Sequence, residues 1–179
     1  FTQASLADMV MCQVRRELQL PSFTGVGGQS VARRFNQDAV WEISSNMMQT
    51  FYSRPASCDY LGSLDEGITY SMHSLLLCDD LAGLLRSLWQ GIRIDDDSLA
   101  VTLAASVGPR GNYLALDHTA SHCREQLWHT RFLGPHIPTS MSPLADRELY
   151  ERIDTELRRI LAEHRVADLP AEVGAQLDA

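Results

Sequence analysis

No lysine occurs in this sequence of 179 residues; all 15 basic side chains are arginine. That absence excludes a Schiff-base mechanism, a pyridoxal phosphate anchor and a phosphate-loop lysine. Basic charge is scarce altogether, since 23 acidic residues outweigh it and leave a net charge of −8. Nucleic acid is therefore a poor partner, because binding it needs a basic face that displaces counterions. No apolar run reaches the roughly 20 residues that span a bilayer, so no membrane partner is expected. Phe1 to Leu20 lacks the cationic start and apolar core of a secretory leader. Cysteine is sparse as well. Cys12, Cys58, Cys78 and Cys123 are too widely spread for a disulfide framework. They read as reduced thiols in a cytoplasmic chain. No Gly-x-Ser-x-Gly elbow is present for a serine hydrolase.

What is present supports one packed domain. About 45% of the residues are hydrophobic, which excludes disorder. Residues 4–18 repeat apolar positions at helical steps (Leu6, Met9, Val10, Val14, Leu18), and Pro21 stops them. Ser22 to Val26 then fits a buried strand, followed by a loop at Gly27-Gly28-Gln29-Ser30. A helix over 36–53 is expected next, capped by Asn36, with Val40, Ile43, Met47 and Phe51 on one face. Trp41, Met47 and Met48 read as core. Ser57 to Gly62 is a second strand, and Ser63 to Gly67 an acidic turn. Strand, glycine loop, helix, strand is the order of parallel βα units.

Beyond residue 70 the pattern is helical. Asp79 and Asp80 read as caps of a helix that Gly91 ends. Asp95 to Asp97 introduce another helix through Val107, and residues 118–128 a further one. An extended loop follows over 129–142. Ser142-Pro143 starts a long helix striped with Leu149, Ile153, Leu157, Ile160 and Leu161, and a short tail follows Pro170. This divides the chain into βα units over 1–69 and a helical extension over 70–179. Two strands cannot form a parallel sheet covered on both faces, so further strands are expected upstream. The start at Phe1 rather than Met agrees with a piece of something longer.

The strand ends hold the candidate site. Gly27, Gly28, Gln29 and Ser30 lie where ligands bind parallel sheets, with glycines permitting close backbone approach. Asp59, Tyr60, Asp65 and Glu66 would suit a cation through carboxylates and an aromatic face. The plain alternatives are a structural turn for the first set and a solvated turn for the second. Asp38 and Glu42 lie one helical turn apart and read as charges favoured at a helix N-terminus. His118 and His122 have zinc-ligand spacing, but Thr119 stands where a metalloprotease carries Glu. No CxxC or evident carboxylate ligand accompanies them, so the pair reads as capping or packing and no metal is assigned.

The motif order resembles the carboxyl-terminal part of the trimethylamine:corrinoid methyltransferase (MttB-like) family. The likeness runs from about Leu18 to about residue 166. It includes the Gly-Gly loop, Glu42, Gly62-Ser63-Leu64-Asp65-Glu66-Gly67-Ile68 and Ser74 to Leu81. Its most specific stretch is Gly108-Pro109-Arg110-Gly111-Asn112-Tyr113-Leu114, leading into His118-Thr119-Ala120-Ser121-His122 and Arg124.

The resemblance implies an α/β fold, the last two strands of a TIM (β/α)8 barrel followed by a helical carboxyl-terminal extension. It implies transfer of a methyl group from a methylated amine to the cobalt of a corrinoid carried by a separate protein. The pyrrolysine of the archaeal trimethylamine enzymes is absent, which points to the branch acting on quaternary amines such as glycine betaine. The family's Asp-x-Gln-x-Gly-x-Glu helix reads Asn-Gln-Asp-Ala-Val-Trp-Glu at 36–42, so Glu42 aligns while Val40 replaces glycine. Gln29 and Tyr60 are the expected substrate contacts, and Glu66 holds the cation electrostatically. No catalytic residue is assigned. A second reading is non-catalytic, an interaction or oligomerisation module or a decayed copy. A metal-dependent hydrolase using His118 and His122 is a third. The oligomeric state stays open, with a homo-oligomer among the options.

Overall fold

Apolar spacing alone places the first helix, α1 (Thr2–Glu17). Only Cys12 of its apolar side chains is buried; Leu6, Val10 and Leu18 just beyond stay 58%, 57% and 63% exposed. The computed structural model describes residues 2–125, 127–132 and 149–167. The expected loop beyond residue 132, the helix start at Ser142-Pro143 and the tail after Pro170 lie outside them.

The expected strands form, but each is only two residues long: β1 (Phe23–Thr24) and β2 (Ser57–Cys58). They pair in parallel, Phe23 opposite Ser57 and Thr24 opposite Cys58. Between them runs α2 (Gln37–Ser53), where Asn36 caps the start by accepting the Ala39 N–H at 3.0 Å. Arg54 ends it in the left-handed region, one residue before Pro55. Trp41 corrects the expectation of core: it is 63% exposed, whereas Ile43 and Met47 on the opposite face are buried.

The acidic turn is more structured than expected. It closes an antiparallel hairpin of β3 (Ser63–Leu64) and β4 (Thr69–Tyr70) around a 3-10 turn at Asp65–Gly67. The architecture is therefore mixed and mainly helical, with two separate two-stranded sheets among the described residues.

Ser71, not Asp79, starts the next helix. Its hydroxyl faces the Ser74 N–H at 3.4 Å, and α3 runs Met72–Gln90 until Gly91 stops it. Asp79 and Asp80 thus lie in mid-helix. The expected helix after Asp95 breaks at Ala100, whose φ is +46°, into α4 (Asp96–Leu99) and α5 (Val101–Val107). α6 spans Asp117–Glu125 and α7 Leu149–Glu163.

One core joins the two halves: Ala39, Ile43 and Met47 from α2, Leu64 from β3, Leu77 and Cys78 from α3, Phe132, and Ile153 from α7. Fully burying a side chain the size of Ile43 or Ile153 contributes about 1.5–3 kcal/mol. Polar contacts fix the register of α7 on α3. Asp154 faces His73 at 3.1 Å and accepts from Arg158 at 2.7 Å. The Arg158 guanidinium first, and His73 after it, hold the Asp154 carboxyl below the usual range. Tyr150 stacks on the His73 ring at 4.7 Å between centroids.

Candidate functional site

The ends of β1 and β2 almost touch. Gly28 donates its N–H to the Asp59 carbonyl at 3.1 Å. A Cβ built on Gly27 would lie 1.8 Å from that same oxygen, and Gly27 has φ +22°. Only glycine permits this approach. Behind it, the Cys78 thiol donates to the Gly28 carbonyl at 3.5 Å. Burial pushes that thiol up to about 11, so it serves as a neutral donor and not as a nucleophile near neutral pH.

Ser30 ties the glycine loop to the hairpin. Its N–H donates to the Ser63 carbonyl at 3.0 Å, and its own carbonyl faces the Glu66 N–H at 3.4 Å. The Ser30 hydroxyl donates to Glu42 Oε2 at 2.6 Å and accepts the Ala32 N–H at 2.9 Å. Glu42 Oε2 also accepts the Val31 N–H at 2.9 Å. The side chain read as a helix-start charge therefore fastens the loop through two donors.

One helical turn along α2 from Glu42 stands Asn46, which sequence reasoning missed. It is 2% exposed. Its Nδ2 donates to the Gln29 carbonyl at 2.9 Å, and its Oδ1 is buried with no hydrogen-bond partner. A buried acceptor left without a donor costs about 1–3 kcal/mol. Asn46 lines a cavity of about 230 Å³ together with Val26, Gln29, Ser30, Val31 and Glu66. Glu66 is exposed and Asn46 buried, and Ala4, Val26 and Val31 give the cavity apolar walls.

The cavity thus brings together Gln29 and Ser30 of the first strand end and Glu66 of the second. Gly27 and Gly28 are buried at the contact with Asp59. Asp59 and Tyr60 lie outside the lining. Asp59 Oδ1 accepts the Tyr60 N–H at 2.8 Å, and the Tyr60 ring sits over Gly67, with Cε1 3.5 Å from a Cβ built there. Asp65 also lies outside; its N–H donates to the Ala32 carbonyl and its carboxylate faces Arg33 at 3.6 Å. Asp65, Glu66 and Tyr60 all adopt positive φ, which aims the acidic loop without glycine at those positions.

A separate group lies in the helical part. Asp97 of α4 meets His118 and His122 of α6, with one ligand atom from each residue within 4.8 Å of the others. The carboxylate that meets the histidine pair comes from 21 residues upstream of His118.

Among the described residues, no helix is long and apolar enough to cross a membrane. The family model described as trimethylamine methyltransferase (MTTB) matches residues 2–179. A trimethylamine methyltransferase of Desulfitobacterium hafniense is 28% identical over 65% of this chain and 23% of its own length. A glycine betaine methyltransferase of a second Desulfitobacterium hafniense strain is 25% identical over 93% of this chain and 35% of its own. A trimethylamine methyltransferase of Methanosarcina barkeri is 25% identical over 66% and 24%. The chain therefore spans about a quarter to a third of the length of these relatives. Matched along nearly its whole length, the chain belongs to the trimethylamine methyltransferase family.

Proposed function

We propose that this chain is the carboxyl-terminal part of a methyltransferase that moves a methyl group from a methylated amine, a quaternary one, to the corrinoid of a partner protein. The observation that carries the reading is the small cavity at the strand ends, where apolar walls meet a few polar side chains. Asn46 offers an unpartnered buried oxygen, and Glu66 places a carboxylate at the rim. A quaternary ammonium has no N–H to donate. Its positive charge, spread over methyl groups, is held by surrounding oxygens and a nearby carboxylate rather than by directed hydrogen bonds. About 230 Å³ suits such a small molecule better than a drug-sized one.

A corrinoid carried by the partner would supply the methyl acceptor when bound. This chain's residues bind and orient the donor. Glu66 and the Asn46 oxygen hold the cation, Gln29 and Ser30 shape the wall, and Glu42 keeps the Ser30 loop in place. A quaternary donor leaves as a neutral amine, so no proton has to move. The lack of lysine and of a nucleophilic thiol at the cavity agrees with a reaction run by positioning.

The parallel β1–β2 pair, with its site at the strand ends, is read as the last part of a TIM barrel of about 250 residues. The exposed apolar stripe of α1, with Phe23 at 49% exposure on β1, supports this reading. Preceding barrel units would cover it. Four free cysteines among the described residues support a reducing, cytoplasmic setting.

The test mixes full-length protein, a reduced corrinoid protein and either glycine betaine or trimethylamine, and follows the spectrum from reduced to methylated corrinoid. Methylation is expected, faster with the quaternary donor. Glu66→Gln and Asn46→Leu are each expected to slow it at least tenfold, with a smaller loss for Tyr60→Leu, whose ring lies outside the cavity. Unchanged turnover in both cavity variants would remove the site from this cavity.

A further inference from the structure

The helical segment between Gly91 and Cys123 holds itself together without a hydrophobic core. None of residues 91–123 is buried, and Ile92, Ile94, Val101 and Leu114 are 88%, 77%, 69% and 83% exposed. What joins its first short helix to α6 is polar. His122 Nε2 lies 3.0 Å from Asp97 Oδ2. His118 Nε2 lies 2.9 Å from the Asp97 carbonyl and 3.7 Å from Asp97 Oδ1. The two imidazoles are nearly parallel, with centroids 4.0 Å apart.

His122 Nδ1 faces the His118 carbonyl at 2.9 Å and the Ser121 hydroxyl at 3.1 Å. Its Nε2 is turned to the Asp97 carboxylate, so that one donor atom each of Asp97, His118 and His122 lies within 4.8 Å of the others. A metal-bound histidine commonly donates its other ring N–H to a carbonyl, and the His118 carbonyl already occupies that place.

We propose that Asp97, His118 and His122 form a zinc site that staples α4 to α6. Two imidazole nitrogens and one carboxylate oxygen are a borderline donor set suited to Zn²⁺, and three protein ligands leave the fourth tetrahedral position to water. The ligand atoms already lie within 4.8 Å of one another, so movements of about an ångström close the coordination sphere. Arg93 touches Asp97 only at 3.4 Å and is held by Asp95 at 2.5 Å, so it keeps a partner when Asp97 turns to the metal. The role is structural. The metal supplies cohesion where the segment has no fully buried apolar residue. The site is independent of the methyl-transfer reading.

The test strips full-length protein with a chelator, dialyses it against Zn²⁺ and measures retained metal by elemental analysis. Wild type, Asp97→Asn, His122→Ala and Glu66→Gln are compared. One zinc per chain is expected in wild type and in Glu66→Gln. Affinity is expected to fall at least tenfold in Asp97→Asn and His122→Ala, and zinc is expected to raise the melting temperature of wild type but not of these two. Co²⁺ is expected to give the intense visible bands of tetrahedral coordination. Asp97→Asn is nearly isosteric at an exposed position, so its folding is preserved and its result is decisive. Zinc retained equally by Asp97→Asn would reduce the site to a surface histidine pair. Absence of retained zinc in wild type, or weak octahedral cobalt bands, would overturn it.

Discussion

Replacing Gly27 by alanine is expected to lower stability by about 3 kcal/mol, which at this chain length shifts the melting temperature by roughly 6–12 °C. The added methyl would lie 1.8 Å from the Asp59 carbonyl oxygen and 2.8 Å from its carbon. Backbone, not a flexible side chain, occupies the space. The strand ends must separate, and the Gly28–Asp59 hydrogen bond is lost with them. Gly25→Ala, two residues earlier, is the control. Its Cβ would meet only Asp8 Oδ1, at an ordinary 3.8 Å. Thermal melts of the two variants make the comparison. A Gly27→Ala protein melting with Gly25→Ala would mean that the strand ends are not in contact.

Asp80→Ala is expected to cost about 2–3 kcal/mol in urea denaturation, the range for removing a buried charged acceptor from the donors that face it. The Asp80 side chain is 6% exposed. It accepts the Thr130 hydroxyl at 2.5 Å and the Arg131 N–H at 3.0 Å, with Arg131 Nε at 3.4 Å. These bonds hold residues 130–132 against α3 and set Phe132, 1% exposed, into the core beside Ile153. Asp80→Asn keeps an acceptor and is expected to lose about half as much. Its neighbour Asp79 also meets Arg131, at 2.6 Å, but is 58% exposed. Asp79→Ala is expected to cost less than about 1 kcal/mol, as exposed ion pairs do. Equal losses at the two positions would contradict this assignment.

Those two aspartates also show where sequence reading reaches its limit. An acidic pair before a leucine run has the form of a helix start, but Ser71 begins α3 earlier and an unbroken apolar pattern carries it past Asp79. Which carboxylate turns inward depends on residues 130–132, fifty positions away, and no local pattern records that. The parallel pairing of β1 and β2 was legible because short apolar runs, a glycine loop and an intervening helix all point the same way. The β3–β4 hairpin was not, since two-residue strands carry no alternation and the turn uses left-handed Asp65 and Glu66 where glycine would have signalled it. Gln29, Ser30 and Glu66 came from their place at strand ends, and the structure puts all three on one cavity. Asn46 was hidden inside an apolar helical face, and Asp97 stood far from its histidines. Both depend on distant packing rather than on spacing.

The claim at the centre is that the hollow between the strand ends receives the methylated cation. Proton–nitrogen correlation spectra of full-length protein, recorded while glycine betaine and then trimethylamine are added, test it directly. The account predicts saturable shifts of the Asn46 side-chain amide and of the Gln29, Ser30, Val31 and Glu66 backbone amides, abolished in Asn46→Leu. Saturable shifts confined to other parts of the protein, with these resonances unmoved, would contradict it.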